Sequence, residues 1–200
     1  MFSKWMTVAI LSLSMLFHSA VSASEEAARQ LVQETADKVI EAIAQNQAAI
    51  ESDPDELLKI VDEILLPRID FERMSRLTLG RHWNRATEQE RRDFIAEFRQ
   101  LLVRTYAGPL SSLDDDQEVV VVGVRAGSDD NDLLVRSEVR GGSESIPVDY
   151  RVYQVNGDWK AYDVVIDGIS LIANYRGSFS QQVQRQGMQG LIDTLRERNN

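Results

Sequence analysis

The hydrophobic period of this chain changes twice, and those two changes limit its fold more than any other feature. From Glu25 to Tyr106 apolar residues recur every three or four positions, the spacing that lines one face of a helix. From Glu118 to Ile166 they fall into short β-branched runs, and from Ser170 to Arg198 the helical spacing returns. Helices, then consecutive strands, then a closing helix make one α+β domain, with the sheet lined on one face by helices.

Local signals divide these stretches. Ala28, Leu31, Val32, Thr35, Ala36, Val39, Ile40 and Ile43 predict a first helix within residues 25–47. Asp53-Pro54 supplies an N-cap and a first-turn proline for a second helix, which Pro67 stops. Asp70 caps a third, short helix that Gly80 ends, and Thr87 with Glu90 forms a capping box for a fourth. Pro109 marks the end of this four-helix half. The runs EVVVVGVRAG, DLLVRSEVR, IPVDYRVYQV and WKAYDVVI predict a four-stranded antiparallel curved sheet, with Asn156-Gly157 as a hairpin turn. Asp167-Gly168 permits a sharp change of direction into the closing helix, which breaks between Gly187 and Gly190.

The start of the chain reads as an export signal. Lys4 precedes an apolar run from Trp5 to Phe17, followed by the small residues Ala20, Val21, Ser22 and Ala23. That layout predicts a signal peptide over residues 1–23 and a mature domain over 24–200. The run is too short to span a bilayer, and no later segment is apolar enough to do so. Cysteine is absent, so no disulfide framework supports an extracellular scaffold, and the bacterial periplasm is the compartment expected.

Charge and side-chain chemistry narrow the function. A net charge of −10 argues against nucleic acid as a partner. Within this acidic chain, residues 68–104 hold nine arginines against six acidic residues. Helical ion pairs account for such a span, or a few of these arginines face an anionic headgroup or an acidic partner. His82 is the sole histidine after residue 23, and motifs for a serine nucleophile, a zinc site or a phosphate loop are absent. Asp114-Asp115-Asp116 and Asp129-Asp130-Asn131-Asp132 lack the spacing of a calcium loop and read as turns. Asp149-Tyr150 and Tyr162-Asp163 each pair a carboxylate with a phenol, but adjacent strand residues face opposite sides of a sheet. No metal, cofactor or catalytic set is predicted.

A curved sheet faced by helices has a concave side. Val148, Tyr150 and Val152, with Tyr162, Val164 and Ile166, form the alternating sets that can line it. Phe71, Met74, Leu77, Leu79, Phe94, Phe98 and Leu102 add helical walls, and Ile169, Leu171, Ile172 and Tyr175 continue the wall past the last strand. Arg176 falls near the rim, able to meet a phosphate through paired N–H donors or to join a surface ion pair. Spacing alone fits both a filled core and a pocket.

The segments DFERMSRLTLGRHWNRATEQERRDFIAEFRQLLVRTYA and IANYRGSFSQQVQRQGMQGLIDTL resemble the MlaC family, also called toluene-tolerance proteins of the ABC-transporter auxiliary class. The resemblance spans essentially all of residues 24–200. It implies an NTF2-like fold with an apolar pocket between sheet and helices, and a periplasmic phospholipid carrier that maintains outer-membrane asymmetry. Acyl tails would fill the pocket and the headgroup would stay outside. It also implies two partners, an outer-membrane complex of the lipoprotein MlaA with a porin and the inner-membrane ABC transporter complex MlaFEDB. Two other classes remain open on the residues alone: an enzyme using the same cavity, resembling NTF2-like isomerases and dehydratases, and an unliganded adaptor.

Overall fold

The computed structural model describes residues 6–53, 55–113, 116–127, 131–142 and 144–200, and side chains from residue 23 onward. Pro54, Asp114, Asp115, Asp129 and Asp130, and residues 1–5 of the expected signal peptide, lie outside the described residues. The first helix, α1 (Met6–Gln45), includes the expected cleavage point after Ala23. Asn46 interrupts the helical backbone, its side chain donating to the carbonyl of Ala42 at 2.8 Å, and α2 (Gln47–Ser52) follows. Helix α3 (Asp55–Ile60) takes its first cap from Asp53, whose Oδ1 accepts the N–H of Asp55 at 3.0 Å. It runs into a π turn over Val61–Leu65 and a 3-10 turn over Leu66–Arg68 that contains Pro67, and the backbone becomes extended at Ile69.

The predicted caps are in place. Asp70 accepts the N–H of Arg73 at 2.8 Å at the start of α4 (Phe71–Leu79), and Gly80 ends it with φ 54°. After a 3-10 turn over Gly80–Arg85, Thr87 and Glu90 form the reciprocal capping box of α5 (Glu88–Ser111). The helical half does not stop at Pro109, which sits inside α5. A proline in the last turn deprives one carbonyl of its partner without cutting a following ladder, so the helix continues to Ser111.

The sheet has five strands rather than four, all antiparallel in chain order: β1 (Glu118–Ala126), β2 (Asp132–Arg140), β3 (Ile146–Val155), β4 (Asp158–Ile166) and β5 (Ile169–Ser170). Asn156 and Gly157, at φ 53° and 91°, turn β3 into β4. Asp167 and Gly168, at φ 48° and 77°, do the same between β4 and β5. Two successive positive φ values define the type I′ turn, whose twist matches the flanking strands. The change of direction at Asp167-Gly168 is therefore a hairpin that returns Ser170 to Val165 and Ile169 to Ile166. Helix α6 (Leu171–Asn199) starts with Ser170 accepting the N–H of Ala173, and breaks at Gly187, whose φ is 75°.

Three packed clusters form the interior. One joins α4, α5 and α6 around Phe94, Phe98, Phe179 and Leu191. A second lays Ala28 and Val32 of α1 on Val121, Val135, Val152 and Ala161 of the sheet. The third gathers Val39, Ile43, Ile50, Leu57, Val61 and Leu66. Helix α1 also closes the edge of β1: Gln33 donates to the carbonyl of Val119 at 2.7 Å and accepts from the N–H of Val121 at 3.2 Å. A side-chain amide thus takes the place of a neighbouring strand.

Candidate functional site

A cavity of about 490 Å³ lies where the three clusters meet, with an almost wholly apolar wall. Helix α1 contributes Leu31, Val32, Ala36, Val39 and Ile40, while the segment after α3 adds Val61, Leu65, Leu66 and Ile69. Helix α5 contributes Leu102, Val103, Tyr106, Pro109 and Leu110, and Leu113 follows it. The sheet forms another wall through Val119, Val139, Ile146, Val148, Tyr150, Ala161, Val164 and Ile166, with Leu171 beside it, and α4 adds Phe71 and Met74. This volume lies within the usual range for a small-molecule site, roughly 300–1,000 Å³.

Of the residues expected to line a pocket, the structure brings Phe71, Met74, Leu102, Val148, Tyr150, Val164 and Ile166 to this cavity. Leu77, Leu79, Phe94, Phe98, Tyr162, Ile172 and Tyr175 instead belong to the packed cluster around α6. There Phe94, Phe98, Tyr175 and Phe179 pack ring to ring, mostly edge to face, with centroids 5.2–5.6 Å apart. Val152 is fully buried against α1, and Ile169 is 60% exposed on β5. Arg176 directs Nε and Nη2 to the carbonyl of Leu77, at 3.0 and 2.6 Å, and so satisfies the end of α4.

The division at β4 has a local cause. Asp163 pairs with Arg151 and Ala161 with Val152, so Tyr162 is an extra residue in the ladder. This bulge breaks strict alternation, and Ala161, Val164 and Ile166 share the cavity wall while Tyr162 turns away. The Tyr162 hydroxyl donates to Asp132 at 2.7 Å, and Arg73 lies over the rings of Tyr153 and Tyr162, 3.9 Å from each centroid. Arg73 also donates to both oxygens of Asp132, at 3.1 and 2.8 Å. The Tyr153 hydroxyl donates to Asp70, the cap of α4. Desolvation first, and this carboxylate second, raise the Tyr153 phenol above its ordinary range. This part-buried network ties α4 to the start of β2 and the end of β3.

Electrostatically the cavity is quiet. Tyr150 is one of the few polar groups of its wall, and burial pushes its phenol up to about 12, with Ser137 partly opposing and Asp149 adding to the shift. Asp149 points toward Arg136, 3.9 Å away, and Asp163 accepts from Ser170 Oγ at 2.6 Å and the N–H of Ile172 at 3.2 Å. Neither carboxylate lines the cavity, and among the described residues no other carboxylate or histidine does. His82 is buried, 3.0 Å from Ser180 Oγ, and desolvation followed by Arg81 and Arg85 lowers its pKa. Among the described residues, no three His, Asp or Glu side chains converge as metal ligands would.

A domain with one packed half and one hollow, apolar half is built as a receptor for an apolar ligand. The chain belongs to the MlaC family: the family model described as MlaC protein matches residues 33–197. It is similar to the intermembrane phospholipid transport system binding protein MlaC of Haemophilus influenzae, 25% identical over 97% of this chain and 92% of that protein. The toluene tolerance protein ttg2D of Pseudomonas putida is 24% identical over 78% of this chain and 73% of its own length. A phospholipid-binding protein from Ralstonia solanacearum, solved in complex with a phospholipid, superposes with a TM-score of 0.80 at 34% identity. That superposition covers 86% of this chain and 96% of the other.

Proposed function

We propose that the protein is a periplasmic phospholipid carrier whose acyl tails occupy the cavity while the headgroup stays at its mouth. The observation that carries this reading is the apolar cavity of about 490 Å³, in a chain 34% identical to a protein solved with a phospholipid bound. Exposing a buried methylene costs about 0.8 kcal/mol, so a tail of about 15 costs on the order of 12 kcal/mol to bring into water. A lipid monomer therefore crosses an aqueous compartment only inside a comparably apolar host. Such a host needs no catalytic group, cofactor or metal, and the cavity wall carries neither carboxylate nor histidine among the described residues.

The signal-like start, with cleavage after Ala23, supports delivery to the periplasm as a domain spanning residues 24–200. No helix among the described residues is long and apolar enough to cross a membrane. The intermembrane transport system in the name of the Haemophilus relative supports partners at both membranes. On this reading these are the outer-membrane complex of MlaA with a porin and the inner-membrane MlaFEDB transporter, the carrier helping to maintain outer-membrane lipid asymmetry. Native mass spectrometry of the mature protein taken from the periplasm, followed by organic extraction, tests the proposal. A stoichiometric phospholipid adduct is expected. A clean apo mass that persists after incubation with liposomes would overturn it.

A further inference from the structure

The cavity lining stops part-way along three elements, and the residues beyond it are fully buried. Along β3, Ile146 is 48% exposed at the mouth, Val148 and Tyr150 line the wall, and the next inward-facing residue, Val152, is fully buried in a packed cluster. Helix α5 repeats the gradient: Pro109 is exposed, Leu102 lines the inner end, and Phe98 one turn deeper is fully buried. On α1 the lining stops at Leu31 and Val32, and Ala28 beyond them has no exposed surface. On all three elements the lining therefore gives way to closed packing. Tyr150 is the largest lining side chain of β3 there, packed against the closed cluster behind it.

We propose that Tyr150 is the residue that limits how long an acyl chain the protein accommodates, an inference that rests on the phospholipid reading above. The four residue steps of strand from Ile146 to Tyr150 span ~13 Å, and the seven helical steps from Pro109 to Leu102 span ~10 Å. A C–C bond of about 1.5 Å at a tetrahedral angle advances an extended chain by about 1.25 Å, so the depth matches about ten methylenes. Longer tails must bend within the cavity or leave their first methylenes at the mouth. The phenol limits length by bulk and not by hydrogen bonding, because the end of a tail offers it no partner.

The test loads delipidated mature protein from an equimolar mixture of phosphatidylethanolamines that differ only in acyl length, dilauroyl to distearoyl, and reads the bound distribution by mass spectrometry. Truncation in Tyr150→Ala is expected to shift the preference between lipids two methylenes per chain apart by about fifteenfold toward the longer, at about fourfold for each of the two extra methylenes of the one chain that reaches the vacated space. Tyr150→Trp shifts it toward the shorter, and Tyr150→Phe leaves it unchanged. If Tyr150→Ala does not fold, Tyr150→Leu carries the same expectation at smaller amplitude. A folded, lipid-loaded Tyr150→Ala or Tyr150→Leu protein with the wild-type distribution would overturn the assignment, as would a Tyr150→Phe shift as large as that of alanine. A wild-type protein that takes up no lipid would instead sink the phospholipid reading itself.

Discussion

Val164→Glu places a carboxylate on the cavity wall directly opposite Tyr150 in the β3–β4 register. Without lipid the carboxylate can be hydrated through the open mouth, so folding loses only the burial of a half-buried valine, about 1–2 kcal/mol. With lipid bound, the charge is desolvated against methylenes that cannot hydrogen-bond it, a penalty of several kcal/mol. At about 4 kcal/mol the affinity falls by ~10³-fold, since each 1.4 kcal/mol is a factor of ten. The loss also carries a pH signature. Desolvation raises the glutamate pKa in the lipid-bound state, so binding favours the protonated side chain. Affinity therefore recovers as the pH falls through that raised pKa and stays at its low plateau above it. Titration with a fluorescent phospholipid at several pH values, beside thermal unfolding of the empty protein, measures both effects. A normally folded variant with full, pH-independent lipid affinity would refute the assignment of this wall.

The packed half should respond in the opposite way. Phe98→Ala removes a ring from the aromatic cluster behind the cavity and is expected to cost about 3–5 kcal/mol in urea unfolding while lipid stoichiometry is kept. Arg73→Met leaves Asp132 buried with only part of its compensation, so about 3–5 kcal/mol is lost; Asp132→Asn in the same chain recovers part of that loss, as a double-mutant cycle would show. Because the Tyr150 phenol sits at about 12 in the folded protein against about 10 unfolded, the unfolded chain ionises first. Its stabilising contribution is complete below pH 10 and is lost as the pH rises toward 12, on the order of 2–3 kcal/mol; Tyr150→Phe should remove that part of the alkaline slope in denaturation curves.

The pattern of helices and strands was legible because each long segment repeats its period several times and its caps are local. Asp70, Thr87 with Glu90 and Asn156-Gly157 each act within four residues, so a sequence shows them whole. The fifth strand was not legible, because Ile169-Ser170 offers two residues to a signal that needs at least four. The cavity was half legible. Val148, Tyr150, Val164 and Ile166 follow from alternation, but the bulge at Tyr162 inverts the face of the residues before it, and no period reveals a bulge. Phe94, Phe98 and Tyr175 carry the same apolar signal as Leu102, and only the tertiary arrangement separates a ring packed on other rings from a side chain facing a void. The α1 stripe through Val32, Ala36 and Val39 was readable as a buried face. Its role as a cavity wall depends on the distance between α1 and α5, which spacing does not encode.

The central claim is that acyl tails lie among α1, α5 and the sheet, and not among the rings of the packed half. A phospholipid carrying a photoreactive diazirine at mid-chain, bound to the mature protein and irradiated, locates the tail through the peptides it labels. Adducts on α1 at Ala36 or Val39, on α5 at Leu102 or Tyr106 and on β3 at Val148 or Tyr150 are the predicted result. Adducts confined to the Phe94–Phe98–Phe179 cluster, or to exposed surface alone, would contradict it.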